Sequence, residues 1–223
     1  MMVAMVLMGA ALARSPGEQA LDAQERTRLE QIVAQAATRA NEKPQDAGAQ
    51  YQAALAGSLL AQLGIETGDK GLGKSAAEAG IGFARRATAL NPASAEHHRI
   101  LGTLCGQVIP ANVLAGLKWG RCAMDEVRKA TELDPKSAKA WLSRGVGNYY
   151  LPPAFGGGVD QAIQDLRKAA QLDANLAEAH LWLGVALRKA GKNAEARKSF
   201  EKSLDLNPNR KWAKQQLDKT PAQ

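Results

Sequence analysis

The sequence predicts an all-α protein built from a repeated helical hairpin, and three observations lead to this fold class. The 223 residues are 45% hydrophobic but only 4% aromatic, and the abundant residues, alanine, leucine, lysine and glutamine, favour helix. No run of alternating valine, isoleucine or threonine predicts a strand. Residues 177–208 read as two short amphipathic helices joined by a turn at Gly191, and their ending recurs upstream.

The clearest copy of the hairpin is residues 177–208. Gly184 lies on the apolar stripe of the first helix and is small enough for close approach of another helix. Phe200 lies on the apolar face of the second helix, so we expect it to fill the space between the two helices. Pro208 follows the second helix, since proline disfavours the α conformation in the residue before it.

The phrase that ends this hairpin occurs four times, at residues 87–92, 130–135, 170–174 and 203–208. The phrases end at 92, 135, 174 and 208 and are therefore 43, 39 and 34 residues apart. If the unit is 34 residues, the two earlier repeats carry insertions of nine and five residues. We expect these insertions in the turn between the two helices of each hairpin.

This 34-residue pattern resembles the tetratricopeptide repeat (TPR), whose small, aromatic and proline positions match Gly184, Phe200 and Pro208. The resemblance implies a right-handed α-solenoid of about four TPR-like hairpins with an extra N-terminal helix and a C-terminal capping helix. The expected segments are an N-terminal helix in 14–45 (a single helix from Gly17 to about Asn41), a divergent repeat in 46–92, repeats in 93–135, 136–174 and 175–208, and the cap in 209–223.

Residues 1–13 form an apolar run that ends Ala-Leu-Ala, which is typical of a signal peptide. The run is too short to span a bilayer as a helix, and no cysteine directly follows it, so no stable membrane anchor is expected. A Pro-Pro-x-x-Gly-Gly-Gly insertion at 152–158 also resembles exported bacterial TPR proteins over about 92–208. Because no Lys or Arg precedes Arg14, the alternative to a periplasmic or otherwise exported protein is a cytoplasmic one.

The net charge of +7 arises entirely in residues 112–223, which hold nineteen basic and twelve acidic side chains, against ten and ten in residues 1–111. Such an excess can steer an acidic partner. The interpretation we favour is that lysines solvate the outer faces of repeat helices. The sequence shows no interleaved aromatic and basic surface, so no nucleic-acid partner is expected.

Residues Gly68 to Ser75 match the phosphate-binding motif G-x-x-x-x-G-K-[ST]. That loop requires a buried strand before it, whereas an alanine- and leucine-rich helix precedes Gly68. No hydrophobic strand ending in aspartate follows. We therefore expect a flexible glycine-rich hairpin turn and no bound nucleotide at this position.

Cys105 and Cys122 lie at equal distances from the centre of the turn in repeat 93–135. In an antiparallel hairpin such residues lie at similar height, so a disulfide is possible and would stabilise the fold by about 3 kcal/mol in an oxidising compartment. The alternative is two small buried thiols. Two thiols without a nearby histidine do not complete a metal site, and none is expected.

Arg144 and Asn148 fall on the packing stripe of the first helix of repeat 136–174, where buried polar groups need partners. We hypothesise that they bind the carbonyls of the loop Pro152 to Gly158. We predict no catalytic role for the histidines. His98 and His180 stand at the position that Trp141 has in its repeat, and this shared position favours a role in packing. Without a nucleophile turn or a distinct carboxylate pair, we expect neither an enzyme nor a cofactor.

The TPR resemblance implies a concave groove lined by the first helix of each hairpin. The groove residues expected to bind a partner are Arg99, Thr103, Lys139, Ser143, Tyr150, Trp182 and Arg188. Aromatic residues bury apolar area and the cations hold carboxylates, but Ser143 and Trp182 depart from the TPR subclass that clamps C-terminal carboxylates. The predicted function is a scaffold for a peptide or protein partner. The alternative is a small-molecule-binding or transporter-accessory protein whose pocket is closed by the Pro152–Gly158 loop.

Overall fold

The computed structural model describes residues 14–111 and 113–222, and every regular element in these residues is a helix. The α-helices are α1 (Pro16–Asp22), α2 (Arg26–Glu42), α3 (Ala47–Thr67), α4 (Lys70–Leu90), α5 (Ala95–Val108), α6 (Val113–Leu133), α7 (Ala138–Tyr150), α8 (Val159–Leu172), α9 (Ala177–Lys189), α10 (Asn193–Leu206) and α11 (Lys211–Asp218). The hairpins are α3/α4, α5/α6, α7/α8 and α9/α10, packed in chain order. The prediction of an all-α helical-repeat fold is confirmed. The predicted signal peptide, residues 1–13, lies outside the described residues.

The first helices of the hairpins begin in similar ways, which shows the repeat directly. Asp46, Ser94 and Ser137 each cap a helix with a side-chain oxygen that accepts a hydrogen bond from the backbone three residues later, a favourable N-cap arrangement. One turn further on, a ring nitrogen of His98, Trp141 or His180 lies 2.8–3.0 Å from the carbonyl oxygen six residues before it. These three rings therefore play one structural part in successive repeats.

The predicted single N-terminal helix is wrong, because α1 and α2 are separate. Gln24 stands between them in the left-handed region, with φ 53°. The Glu25 amide donates to the Ala20 carbonyl at 2.8 Å and the Gln24 amide donates to the Leu21 carbonyl at 3.0 Å, so the carbonyls at the end of α1 are satisfied as the chain turns. This turn lets α1 pack on α3 independently of α2.

The two insertions are accommodated differently. The five-residue insertion forms the connection 151–158 between α7 and α8, as expected, with a single 3-10 turn at Pro153–Phe155. The nine-residue insertion instead lengthens α6, which has 21 residues, whereas α8 and α10 have 14 each. The first part of α6 contains helix-favouring residues. It also contains Trp119, which is buried in the core of the N-terminal half.

The glycine-rich segment 68–75 is a tight turn followed by helix rather than a flexible loop. Gly68 ends α3 with φ 78°, and the Asp69 carboxylate caps α4 by accepting from the Leu72 amide at 2.9 Å. From Lys70 onward the segment is part of α4. A Cβ at Gly64 would lie 2.4 Å from the Gly73 nitrogen, so Gly64 permits the close crossing of α3 and α4. A Cβ at the motif glycine Gly73 would make only ordinary contacts, the nearest at 3.4 Å from the Ala61 carbonyl oxygen.

Candidate partner-binding groove

The first helices of the hairpins form a continuous inner surface, since α3 contacts α5, α5 contacts α7 and α7 contacts α9. At its centre the Tyr51 hydroxyl donates to Glu96 at 2.6 Å, and Glu96 accepts from Nε and Nη2 of Arg99 at 2.7 and 2.6 Å. The Thr103 and Ser143 hydroxyls are 3.1 Å apart, and Arg99 reaches Ser143 at 3.4 Å. The structure thus brings the predicted residues Arg99, Thr103 and Ser143 together.

The charges at this centre are already matched. Burial alone would lower the pKa of Arg99, but the hydrogen bonds and charge of Glu96 outweigh it and raise that pKa. Burial alone would raise the pKa of Glu96, but Arg99 outweighs it and lowers that pKa. In this structure Glu96 occupies two guanidinium nitrogens of Arg99, so Arg99 is paired within the chain. Lys139 is exposed, and its charge helps to lower the pKa of Glu96.

The aromatic end of the surface is covered by the chain itself. The Trp182 ring lies 5.2 Å from that of Trp212 in α11, between ring centroids, and is only 8% exposed. Arg188 donates to the Gln216 carbonyl at 3.1 Å and to the Gln216 side-chain oxygen at 2.5 Å. Tyr150, whose ring centroid lies 6.2 Å from that of Trp182, stays 45% exposed. Trp182 and Arg188 are consequently not open groove residues, and sequence reasoning missed the part of α11 in covering them.

A buried cluster of charges surrounds Arg210, whose side chain is 0% exposed. Its Nη1 donates to Glu66 at 2.9 Å, its Nη2 binds the other oxygen of that carboxylate, and its Nε donates to Glu178 at 2.7 Å. Asp22 lies 3.6 Å from Arg210 and also pairs with Arg14 at 2.7 Å. Helix α1 and two inner helices, α3 and α9, thus supply carboxylates to one guanidinium.

The cluster contains three carboxylates and two guanidinium groups. Burial raises the pKa of Glu66, against the opposing effect of Arg210, and raises that of Asp22, against Arg14. Burial alone would lower the pKa of Arg210, but Glu178 and Glu66 outweigh it and raise that pKa. Arg210 is therefore held in its charged form. The excess carboxylate makes this the acidic end of the inner surface.

The turn after α1 and helix α11 meet beside this cluster. Lys211 Nζ donates to the Ala23 carbonyl at 2.8 Å, and the side-chain amides of Gln24 and Gln215 bond to each other at 3.2 and 3.4 Å. The inner surface is therefore closed between its two ends. Its uncovered residues lie along α7, where Lys139 and Tyr150 are exposed.

The loop anchors are corrected by the structure. Arg144 donates to both oxygens of Asp165 in α8, at 2.9 and 2.6 Å, and Asn148 donates to the same carboxylate at 2.8 Å. A buried carboxylate is a stronger acceptor for a guanidinium than a loop carbonyl, and Asp165 is 3% exposed. The loop is held instead by a backbone bond from the Gly158 amide to the Asn148 carbonyl at 2.9 Å.

The loop alternative finds no support in the described part of the chain. Pro152 and Pro153 are exposed, and two open depressions of the surface lie along α2 and its flanking residues Glu25 and Lys43 rather than beside the loop. Among the described residues, no group of three or more His, Cys, Asp or Glu side chains is placed to hold a metal ion. No described helix is both long and apolar enough to cross a membrane.

The cysteines are joined. Cys105 of α5 and Cys122 of α6 form a disulfide with their Cα atoms 5.9 Å apart. The sequence left open a disulfide or two buried free thiols, and the structure contains the disulfide.

Comparisons with known proteins identify the repeats. Residues 177–210 match the family model described as tetratricopeptide repeat, and residues 156–191 match one described as TPR repeat. No curated protein matches the sequence. A thermophilic TPR protein of Thermus thermophilus is similar in structure, with a TM-score of 0.62 and 19% identity over 91% of this chain and 97% of that one.

The HusA haemophore of Porphyromonas gingivalis is also similar in structure, with a TM-score of 0.59 and 19% identity over 82% of this chain and 96% of that one. Identities this low show the fold alone. Together with the packing of the hairpins in chain order, these matches show that the chain is an α-solenoid of the TPR type whose residues 156–210 are tetratricopeptide repeats.

Proposed function

We propose that this protein is a non-catalytic scaffold that binds a segment of a protein partner along α7 on the inner surface. Lys139 and Tyr150 are eleven residues apart, which is three turns of a helix, so they lie on one face. Ser143 and Val146 lie on the stripe between them. The observation that carries the proposal is that Lys139 and Tyr150 are exposed, whereas Trp182 is buried under α11.

The dimensions of this stripe define the partner. A helical rise of 1.5 Å per residue separates its two ends by roughly 16 Å, which an extended peptide spans with about five or six residues. Lys139 is suited to an acidic side chain or a C-terminal carboxylate. Tyr150 is suited to an apolar side chain, because an exposed aromatic ring buries large area at low entropic cost.

The comparisons support the general class of this function. TPR proteins typically bind protein or peptide partners and are generally scaffolds without catalytic activity. The fold alone does not specify a partner, because the same helices tolerate many groove surfaces. The specific part of the proposal therefore rests on the exposed residues of α7.

We also place the protein in the bacterial envelope. The apolar run 1–13 that ends Ala-Leu-Ala favours export, and the Cys105–Cys122 disulfide is of the kind that persists in oxidising compartments. Cell fractionation tests this location, with the N-terminal residue of the purified protein determined by sequencing. Recovery of the uncleaved chain with reduced cysteines in the cytoplasm would contradict it.

The binding proposal is tested by capture from envelope extract with wild type, Lys139→Glu and Tyr150→Ala. The matched controls are Lys198→Glu and Met124→Ala, which change an exposed lysine and an exposed apolar residue on other helices. We expect capture of one partner by wild type and both controls, with about tenfold loss, or 1.4 kcal/mol, in each α7 variant. A photo-cross-linker at residue 143 then identifies the bound segment.

The proposal fails if the two α7 variants capture the same partner as well as wild type does. Loss of capture in Lys198→Glu alone would place the binding surface on the outer, basic face. Circular dichroism of each variant checks that its helix content is unchanged.

A further inference from the structure

We infer that the acidic and aromatic end of the inner surface is a recognition site for a helix that carries an arginine and, two residues later, an aromatic residue, and that α11 occupies this site as an internal copy of such a ligand. The inference goes beyond the proposed function, because it concerns the surface that α11 covers and does not depend on Lys139. Tyr150, which is 45% exposed, lies only at the edge of this surface. Its partner is a protein with an Arg-x-aromatic sequence at the start of a short amphipathic helix.

The arginine half of the site is a pocket built for a guanidinium. Glu66 offers both oxygens to Arg210, Glu178 offers a third, and Asp22 lies beside them. These carboxylates come from three helices that are far apart in sequence, so the pocket is part of the solenoid rather than of α11. Without Arg210 it would hold three carboxylates against Arg14 alone, and an uncompensated buried charge strongly favours a replacement cation.

The aromatic half of the site lies next to the pocket. Trp212 packs on Trp182, and the Trp182 ring is flanked by Tyr149 and Tyr150 at 6.0 and 6.2 Å between centroids. Such tilted and edge-to-face pairs are favourable beyond their buried area. Arg188 completes the site by binding acceptors of the ligand helix, the Gln216 backbone and side-chain oxygens.

The ligand helix is short, and outside the site Arg197 also holds it by donating to the Leu217 and Thr220 carbonyls at 3.4 and 2.8 Å. α11 has eight residues, a length at which an isolated helix is marginal in water. We expect so short a helix to open locally at less cost than the longer helices of the core. A partner helix with the same arginine and aromatic residue therefore competes with α11 for one set of contacts.

The test uses a fluorescent peptide of residues 207–223 as probe. The receptor is the full chain with Arg210→Gln and Trp212→Ala, in which the internal copy lacks both anchoring side chains. We expect this receptor to bind the peptide, and wild type to bind it about tenfold or more weakly because its tethered α11 competes at high effective concentration. A peptide with Arg210→Lys should bind the opened receptor about tenfold more weakly, since lysine cannot form the forked contact.

A pocket variant of the opened receptor, with Glu66→Gln added, should also lose affinity for the peptide. The inference is overturned if the opened receptor keeps wild-type helix content yet does not bind, or if the lysine peptide binds equally well. It is also overturned if light scattering shows that binding accompanies dimer formation, because a second copy would then be the occupant.

Hydrogen exchange of wild type decides the matter if the opened receptor does not fold. Amides of α11 should then exchange faster than those of α9 and α10, showing that α11 leaves the site while the last hairpin stays intact. Equal protection of α9, α10 and α11 would make α11 a fixed part of the core and exclude a competing ligand.

Discussion

The first hairpin, α3/α4, and the last, α9/α10, bring two helices together in opposite ways. In the last hairpin the fully buried Phe200 ring lies over Gly184, so close that a Cβ there would be 2.6 Å from the ring. In the first hairpin two 21-residue helices touch backbone to backbone, and a Cβ at Gly64 would lie 2.4 Å from the nitrogen of Gly73. One hairpin fills the gap with an aromatic ring and the other removes the gap.

This difference explains where the repeats are recognisable. The family models match residues 156–210, which include Gly184 and Phe200, whereas the structural relative from Thermus thermophilus matches over 91% of the chain. The repeat signature therefore reports one way of packing a hairpin rather than the fold as a whole. A hairpin that packs through glycines keeps the fold but loses the signature.

The largest expected effect comes from removing the ring. Phe200→Ala should lower the free energy of unfolding by about 3–5 kcal/mol, because it deletes a buried aromatic side chain and leaves a cavity opposite a glycine. Urea unfolding followed by circular dichroism measures it. Lys198→Ala, two residues away and exposed, is the control and should change stability by less than about 0.5 kcal/mol. A loss of under 1 kcal/mol for Phe200→Ala would mean that the helices close over the gap.

The next effect tests the backbone contact of the first hairpin. Gly64→Ala should destabilise by about 3 kcal/mol, since its Cβ would meet the nitrogen and Cα of Gly73 at 2.4 and 2.8 Å, and overpacking of this kind costs about 1–3 kcal/mol or more. Gly82→Ala in α4 is the matched control, because nothing lies within 4 Å of its Cβ. It should stabilise by about 0.5–1 kcal/mol. Equal urea midpoints for the two variants would contradict the contact.

The sequence predicts the features that recur in each repeat and does not predict those that occur once. The hairpin at 177–208 and the shared position of His98, Trp141 and His180 follow from local spacing, so both were accessible. The break between α1 and α2 was missed because Gln24, which adopts φ 53°, is not a residue that signals a turn.

The buried cluster was missed for a different reason. Arg210 binds Glu66, which is 144 residues away in sequence, and no helical period relates two such positions. The one local signal is that Arg210 stands two residues after a repeat-ending proline, where Ser94 and Ser137 cap their helices. An arginine cannot cap in that way, so its place invites the question of what else it binds.

A smaller effect separates side-chain from backbone contact. Gly184→Ala alone should destabilise, because its Cβ would lie 2.6–2.8 Å from three ring atoms of Phe200. Phe200→Leu removes two of these atoms, Cε1 and Cζ, so the double variant should be more stable than the two single effects added, by about 1 kcal/mol of coupling. A double-mutant cycle in urea measures this energy. Strict additivity would show that the glycine is not required by the ring.

The smallest effect concerns the place where the two hairpins meet, since Glu66 of α3 and Glu178 of α9 both bind Arg210. Burial raises the pKa of Glu66 above its ordinary 4.5, so the folded chain binds this proton more tightly than the unfolded chain. The contribution of Glu66 to stability is therefore complete below pH 4.5 and decreases as the pH rises toward the folded pKa. The free energy of unfolding of wild type minus that of Glu66→Gln should fall over this interval.

Glu96 provides the opposite case on the same inner surface. Its pKa lies below 4.5, because Arg99 outweighs the effect of burial, so its contribution is present above pH 4.5 and is lost as the pH falls. The free energy of unfolding of wild type minus that of Glu96→Gln should consequently rise with pH, whereas the corresponding difference for Glu66→Gln should fall. Urea unfolding of the three proteins across a pH series gives both differences. Slopes of equal sign against pH would mean that the Arg210 cluster is an ordinary ion pair like that of Arg99. Slopes of opposite sign would show that the contact of Glu66 between the two ends of the solenoid weakens as the pH rises, while the contact of Glu96 at the centre of the inner surface becomes stronger.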